Sequence, residues 1–220
     1  MLAPRLRLLV LTAALTACAQ PSAPPPPGWP PRVDAAYPDL ELLDSKGATV
    51  ALSSLKGKVI LLEPVGMTCP ACNAFAGGNR PEIGHFSGIV PQEGILSTPE
   101  MLEQVAGVDF GHPGLVHVQL LLYNLRMQGA TAEDAARWAA HFKAEKHPNL
   151  IVLAGGSALA NQASSDMIPG YQVIDRDFIL RSDCSGHQPG PSCQKFVAVL
   201  RGALGMPAEF KNVEEAAESD

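Results

Sequence analysis

Hydrophobic positions along the chain fall into short continuous runs separated by longer stretches with helical spacing. Two brief apolar segments flank Asp44-Ser45-Lys46-Gly47, and Gly57-Lys58 leads into Val59-Ile60-Leu61-Leu62. Turn formers between apolar runs of that length predict a hairpin feeding a buried strand. Residues 115–123 form another strand-like run, and 150–153 a short one. Between them Ala135, Ala136, Trp138, Ala139 and Phe142 recur at helical spacing behind Thr131-Ala132-Glu133-Asp134, so a helix is expected over 131–146. Residues 171–174 and 178–180 flank Asp175-Arg176-Asp177 as a second hairpin, followed by a helix over about 193–204. Strands alternating with helices predict an α/β fold with a mixed central sheet flanked by helices on both faces. Residues 77–114, rich in Gly, Pro and His, read as a weakly patterned insertion with one helix near 99–106.

The start of the chain follows a different pattern. Arg5 and Arg7 precede an apolar run over 8–17 that is too short to span a bilayer and has the layout of a secretory signal. The run closes as Leu15-Thr16-Ala17-Cys18, which resembles the lipobox of bacterial lipoproteins. That resemblance implies removal of residues 1–17 and lipidation of Cys18, making a membrane one partner through a lipid anchor. Two or three acyl chains, at about 0.8 kcal/mol per buried methylene, hold a protein stably on a membrane. The competing reading is a cleaved signal with a coincidental cysteine. Residues 18–34 are proline-rich and are expected as an extended tether rising roughly 3.1 Å per residue. A folded domain is expected over 35–210 and a frayed acidic tail with Glu214, Glu215 and Glu218 over 211–220. Ala19, where inner-membrane lipoproteins of Gram-negative bacteria carry Asp, implies the outer membrane, with the domain in the periplasm.

Composition narrows the partners. With 46% hydrophobic and 17% charged residues the chain can bury one ordinary core. A net charge of -6 and a pI near 5.5 argue against a nucleic-acid surface, which needs clustered Lys and Arg. The five cysteines are distributed unevenly, one at position 18, two at 69 and 72, and two at 184 and 193.

Cys69-Pro70-Ala71-Cys72 follows the apolar strand and should open a helix. Two cysteines at that spacing can close a disulfide across the first turn, and the first meets unpaired amides that favour its thiolate. Cys69 is thereby the candidate nucleophile and Cys72 the resolving thiol. A lone CxxC is also half of a zinc site, but no second CxxC or paired histidines lie at finger spacing, so no metal is assigned. The segment 38–62 together with this motif resembles the TlpA-like and peroxiredoxin-like branches of the thioredoxin superfamily. The resemblance implies a thioredoxin-like fold with an N-terminal β-hairpin and an extracytoplasmic thiol–disulfide oxidoreductase. Its substrates would be protein thiols and disulfides, with a further redox partner and no cofactor. It also implies that Glu63 is the buried acid taking a proton from the resolving cysteine, and that Ile168-Pro169 is the pair whose cis-proline packs on the disulfide. In that pair Ile168 offers its backbone to substrate. A surface glutamate and an ordinary turn proline are the alternatives at these positions. Thr68 stands where the family usually has tryptophan, which places an unusual residue at the substrate-docking surface.

Two other readings remain open. Pro64 to Cys72, spaced Pro-x3-Thr-x3-Cys, also resembles the peroxiredoxin signature Pro-x3-Thr-x2-Cys with one residue more before the cysteine, with Cys72 as peroxidatic thiol, although the arginine of that family is replaced by Pro169. A Sco-like copper protein would use Met67, Cys69, Cys72 and a histidine, but its cysteine spacing and histidine position are missing. Cys184 and Cys193 are expected to form a structural disulfide on a rim loop in an oxidising compartment, with a redox relay or a site using His187 as alternatives. His85, His112, His117, His141 and His147 show no ligand spacing and are expected as surface or core residues.

Overall fold

The run after Gly57-Lys58 becomes β3 (Val59–Gly66), buried along its whole length. The computed structural model describes residues 24–209. The signal segment expected over 1–17, the lipidation expected at Cys18 and the tail expected over 211–220 lie outside those residues. Before β3 come β1 (Glu41–Asp44) and β2 (Thr49–Ala51), the expected hairpin around Asp44. After it follow α1 (Pro70–Phe75), α2 (Thr98–Glu100, continuing as a wider turn over Met101–Val105) and β4 (Leu115–Tyr123). Then come α3 (Ala132–His141), β5 (Leu150–Ala154), α4 (Gln162–Asp166), β6 (Gly170–Ile174), β7 (Leu180–Ser185) and α5 (Phe196–Ala203).

The strands make one seven-stranded sheet in the order β2-β1-β5-β4-β3-β6-β7. β3, β4 and β5 run parallel, while β6 and β7 are antiparallel to their neighbours. The sheet is mixed, as the alternation of elements predicted. Pro64 is tolerated inside β3 for a geometric reason. Val59 donates its amide to Gly114 across the β4 edge, so the odd-numbered amides face β4 and the even-numbered ones face β6. Pairing with β6 stops at Leu62, so the donor that Pro64 lacks has no partner to lose.

Apolar side chains pack on both faces. Ile60, Leu62, Val118 and Leu120 join Trp138 and Phe142 in the larger core, and Val59, Leu61, Leu115 and Val173 join Phe196 and Leu200 of α5 in the other. Period-two alternation puts Glu63 of β3 and His117 and Gln119 of β4 on the second of these faces, with Leu61 opposite His117 and Glu63 opposite Gln119.

Four local expectations are corrected. The helix expected over 131–146 starts as predicted, with Thr131 and Asp134 in a reciprocal capping box, but ends at His141 because Lys143 is left-handed at φ 56°. The second hairpin strand is Leu180–Ser185 rather than 178–180, since Phe178 occupies the turn at φ 69° while burying its ring. The five-residue helix α4 was not expected, because its polar sequence has no apolar stripe. The far end of the segment expected as a tether over 18–34 packs on the domain. Trp29 is 8% exposed and donates its indole N–H to Ser164 Oγ at 3.0 Å, and Asp34 pairs by its backbone with Leu180.

Candidate active site

The cysteine motif sits where β3 ends and α1 begins. Cys69 is the N-cap of α1 in extended conformation, with Pro70 following it in the first turn, where a missing amide costs nothing. Its Sγ accepts the backbone N–H of Cys72 at 3.2 Å. Asn73 is fully buried and fixes the approach to this turn by donating its side-chain amide to the carbonyls of Cys69 (2.9 Å) and Met67 (3.2 Å). The two thiols have opposite surroundings. Cys69 is half-buried, and hydrogen bonding from the Cys72 thiol and amide holds its thiol below the ordinary value, against the opposing effects of burial and of Glu63. Cys72 has no exposed surface, and burial pushes its thiol well above the ordinary value, reinforced by Cys69 and Glu63. The reactive thiolate is therefore expected to be Cys69. Alkylation of reduced protein by iodoacetamide, followed by peptide mapping over pH, should reach half its maximal rate on Cys69 at a pH below that of an ordinary thiol. Cys72 should be modified only at markedly higher pH.

Glu63 is buried, not on the surface. Its Oε2 receives the His117 ring at 3.1 Å, the Gln119 amide N–H at 3.2 Å and the Thr98 hydroxyl at 3.5 Å, while Oε1 has no hydrogen-bond partner among the described residues. Thr98 also shares a hydrogen bond with Tyr171 at 2.9 Å, and Gln119 accepts from the Trp138 indole at 3.0 Å. Burial and the nearby Glu63 raise the Tyr171 hydroxyl well above its ordinary range, so it serves as a neutral partner of Thr98.

Ile168-Pro169 is a cis peptide at the start of β6. Gly170 follows at φ 146°, and a side chain there would collide with the Cys184 carbonyl. This glycine lets the start of β6 lie tight against the end of β7. The Ile168 amide donates to Ser165 O at 3.2 Å, so strand-like pairing with a substrate would use the Ile168 carbonyl. Ile168, Thr68, Cys69, Tyr123 and Met127 line a groove of about 210 Å3, and Met127, 58% exposed, accepts the Thr68 hydroxyl on its sulfur at 3.2 Å.

Cys184 and Cys193 form a disulfide. Cys184 sits opposite Tyr171 at the end of β7, and the loop it closes carries His187 to the rim of the Cys69 groove. Both cysteine pairs, Glu63 and Pro169 stand out in the sequence, and the structure places Glu63 beside His117, which the sequence marks only as a surface or core residue. Asn73, Thr98 and Gln119 go unmarked in the sequence. The alternation of β4 puts His117 and Gln119 on one face, but only the register of β3 against β4 makes that the face of Glu63.

No protein-family model matches the sequence, and no curated protein matches it at a significant level. Solved structures do match. A protein from Aquifex aeolicus VF5, provisionally described as an electron transfer protein, is 18% identical over 80% of this chain and 96% of its own, with a TM-score of 0.52. A second from Aquifex aeolicus VF5, provisionally described as an electron transport protein, is 18% identical over 79% of this chain and 99% of its own, with a TM-score of 0.50. The thioredoxin domain of a thiol-disulfide oxidoreductase from Bacteroides vulgatus is 17% identical over 76% of this chain and 98% of its own, with a TM-score of 0.42. The fold is thioredoxin-like. Within the thioredoxin-like fold the sheet carries the additions the sequence suggested, the hairpin β1–β2 at one edge and the insertion between α1 and β4. That insertion reaches the site twice, by Thr98 at Glu63 and by the Gln92 amide donating to Pro70 O at 3.1 Å.

Proposed function

We propose that the protein is an extracytoplasmic thiol–disulfide oxidoreductase that exchanges disulfides with protein thiols through Cys69 and Cys72. The observation that carries the reading is the asymmetry of the pair. Cys69 is half-buried with a lowered pKa beside the fully buried Cys72 with a raised one, and the enclosed Glu63 influences both.

In the reducing direction the Cys69 thiolate attacks a substrate disulfide, forming a Cys69–substrate bond and releasing the other substrate sulfur as a thiolate. Cys72 then gives its proton to Glu63, whose Oε1 is free of other partners among the described residues, and attacks Cys69 Sγ. The Cys69–Cys72 bond forms, the second substrate sulfur leaves, and two electrons have passed to the substrate. The same steps reversed oxidise a dithiol. The groove of Ile168, Tyr123 and Met127 supplies an apolar edge on which an extended substrate segment can lie beside Cys69. Cys18 would tether the domain to a membrane outside the cytoplasm, where the Cys184–Cys193 bond would persist as a structural staple.

Peroxide reduction through Cys72 fits less well, because a peroxidatic thiol must be an accessible thiolate and Cys72 is neither. Reduced protein should therefore accelerate insulin reduction by dithiothreitol and consume hydrogen peroxide no faster than a free thiol. Peroxide turnover that survives Cys69→Ser but not Cys72→Ser would overturn the assignment.

A further inference from the structure

The hydrogen bonds of Glu63 all fall on one of its two oxygens. Gln119 Nε2 donates to Oε2 at 3.2 Å, with His117 Nε2 at 3.1 Å and the Thr98 hydroxyl at 3.5 Å, while Oε1 has no hydrogen-bond partner among the described residues. A side-chain amide can in general present either its nitrogen or its oxygen to a carboxyl group. Trp138 of α3 removes that freedom. Its indole N–H donates and accepts nothing, and it is directed at Gln119 Oε1 at 3.0 Å. Turning the amide over would set two donors face to face at Trp138 and two acceptors face to face at an ionised Glu63. Trp138, Gln119 and Glu63 are all buried, so no solvent replaces a lost partner. The indole is itself held by ring contacts with Phe86 and Phe142, at 5.1 and 4.4 Å between centroids.

We propose that Trp138 and Gln119 form a lock that keeps the proton off Glu63 Oε2 and leaves Oε1 to receive it from Cys72. The inference rests on the reading of Glu63 as the base for Cys72. A proton on Oε2 would share that oxygen with the Gln119 N–H, which a hydroxyl oxygen accepts more weakly than a carboxylate oxygen does. In the resolving step the Cys72 S–H bond breaks, its electron pair stays on sulfur and an O–H bond forms at Oε1. The sulfur then attacks Cys69 Sγ and expels the substrate thiolate. A fixed donor also favours the ionised carboxyl over the protonated one, so the lock extends resolution to lower pH. Gln119 touches no substrate and Trp138 acts through Gln119, so both are positioning residues.

The titratable groups that face Glu63 are Cys69 and Cys72 of α1, His117 of β4 and Tyr171 of β6, whose hydroxyl stays neutral. From α2 it is faced by the Thr98 hydroxyl. Beyond Gln119 and His117 lies a cavity of about 110 Å3 whose charged and titratable groups are Arg80, Glu82, Lys143, Lys146 and His147. Substitutions at Gln119 and Trp138 leave every one of these groups in place, so a change in pH dependence between wild type and such a variant reports on the amide and the indole.

The test uses the full chain with Cys18→Ser, reduced at the Cys69–Cys72 pair and mixed with 5,5′-dithiobis(2-nitrobenzoate) over a range of pH. Attack by Cys69 releases one thionitrobenzoate, and resolution by Cys72 releases a second, so the two steps separate in time. In Gln119→Met, which keeps the length of the side chain but donates nothing, the first phase should change little. The acid limb of its second phase should move up by about one pH unit or more. Trp138→Phe, which keeps an aromatic ring and loses the indole N–H, should move the limb the same way, because the amide is then free to turn its oxygen toward a protonated Glu63. In the Gln119→Met background Trp138→Phe should add no further shift, since the indole acts through the amide. A lowered Tm with an unmoved limb in Gln119→Met, or an equal shift by Trp138→Phe with and without Gln119, would overturn the lock. Should Gln119→Met fail to fold, Trp138→Phe decides, and an unmoved limb there overturns the lock as well. A Glu63→Gln variant that resolves at the wild-type rate would remove the base itself and the lock with it. A slow Glu63→Gln beside a wild-type profile in Gln119→Met would overturn the lock alone, so the two failures are distinguishable.

Discussion

Cys72→Ser protein incubated with a disulfide substrate is expected to accumulate a stable mixed disulfide on Cys69, and Cys69→Ser protein is expected to exchange disulfides no faster than background. The asymmetry follows from where the two sulfurs sit. Cys69 caps the first turn of α1 and accepts the Cys72 amide, so it retains its contact with the groove and a route to the thiolate when Cys72 is absent. Its pKa should rise somewhat, because the Cys72 thiol is the largest cause lowering it. Removing Cys72 takes away the only thiol among the described residues that is placed to attack the adduct. Removing Cys69 leaves a sulfur with no exposed surface and a raised pKa, which an external disulfide cannot approach. Non-reducing electrophoresis and mass measurement of the trapped species check both outcomes. An adduct on Cys72 in the Cys69→Ser protein, formed at a rate near that of wild type, would reverse the roles of the pair.

The second large effect is expected at Glu63. Glu63→Gln keeps the size of the side chain and can still accept from His117 and Gln119, but it cannot take a proton. Attack by Cys69 should then change little, while resolution by Cys72 should slow by about 10²-fold, the lower end of what a positioned general base contributes. Stability should not fall with the rate. Glu63 is a buried carboxyl group with one oxygen unpartnered among the described residues, and a buried polar atom without a partner is costly to hold in a dry interior. Replacing it by an amide of the same size should leave Tm unchanged or raise it. A variant that loses rate and stability together would mean that Glu63 serves the fold, and that the slowing follows from a disturbed site.

How far the sequence foretold the site depended on the distance over which each contact is made. Cys69 and Cys72 share one helical turn, which local spacing carries, and Glu63 lies on β3 just before that turn, where the resemblance marks it. Ile168-Pro169 is remote in sequence but marked by the strand that follows it. Thr98 lies in an insertion whose irregular backbone left no periodic pattern. Gln119 and His117 meet Glu63 through the parallel register of β3 against β4, a pairing that no local pattern specifies. Phe178 misled for the opposite reason. Its ring is buried, which resembles a strand residue, but it fills the core from a left-handed turn, and β7 begins only at Leu180. Trp29 was hidden among prolines that read as an unpacked tether, although one buried aromatic is enough to fasten that segment to the domain.

The central claim, that Cys69 and Cys72 form one redox couple, is tested most directly by equilibrating the full chain in glutathione buffers of graded potential and counting free thiols by mass at each point. The account predicts a single two-electron transition in which both cysteines lose their thiols together, while Cys184 and Cys193 stay bonded throughout. Independent titration of Cys69 and Cys72, or glutathione adducts on each without an internal bond, would contradict it.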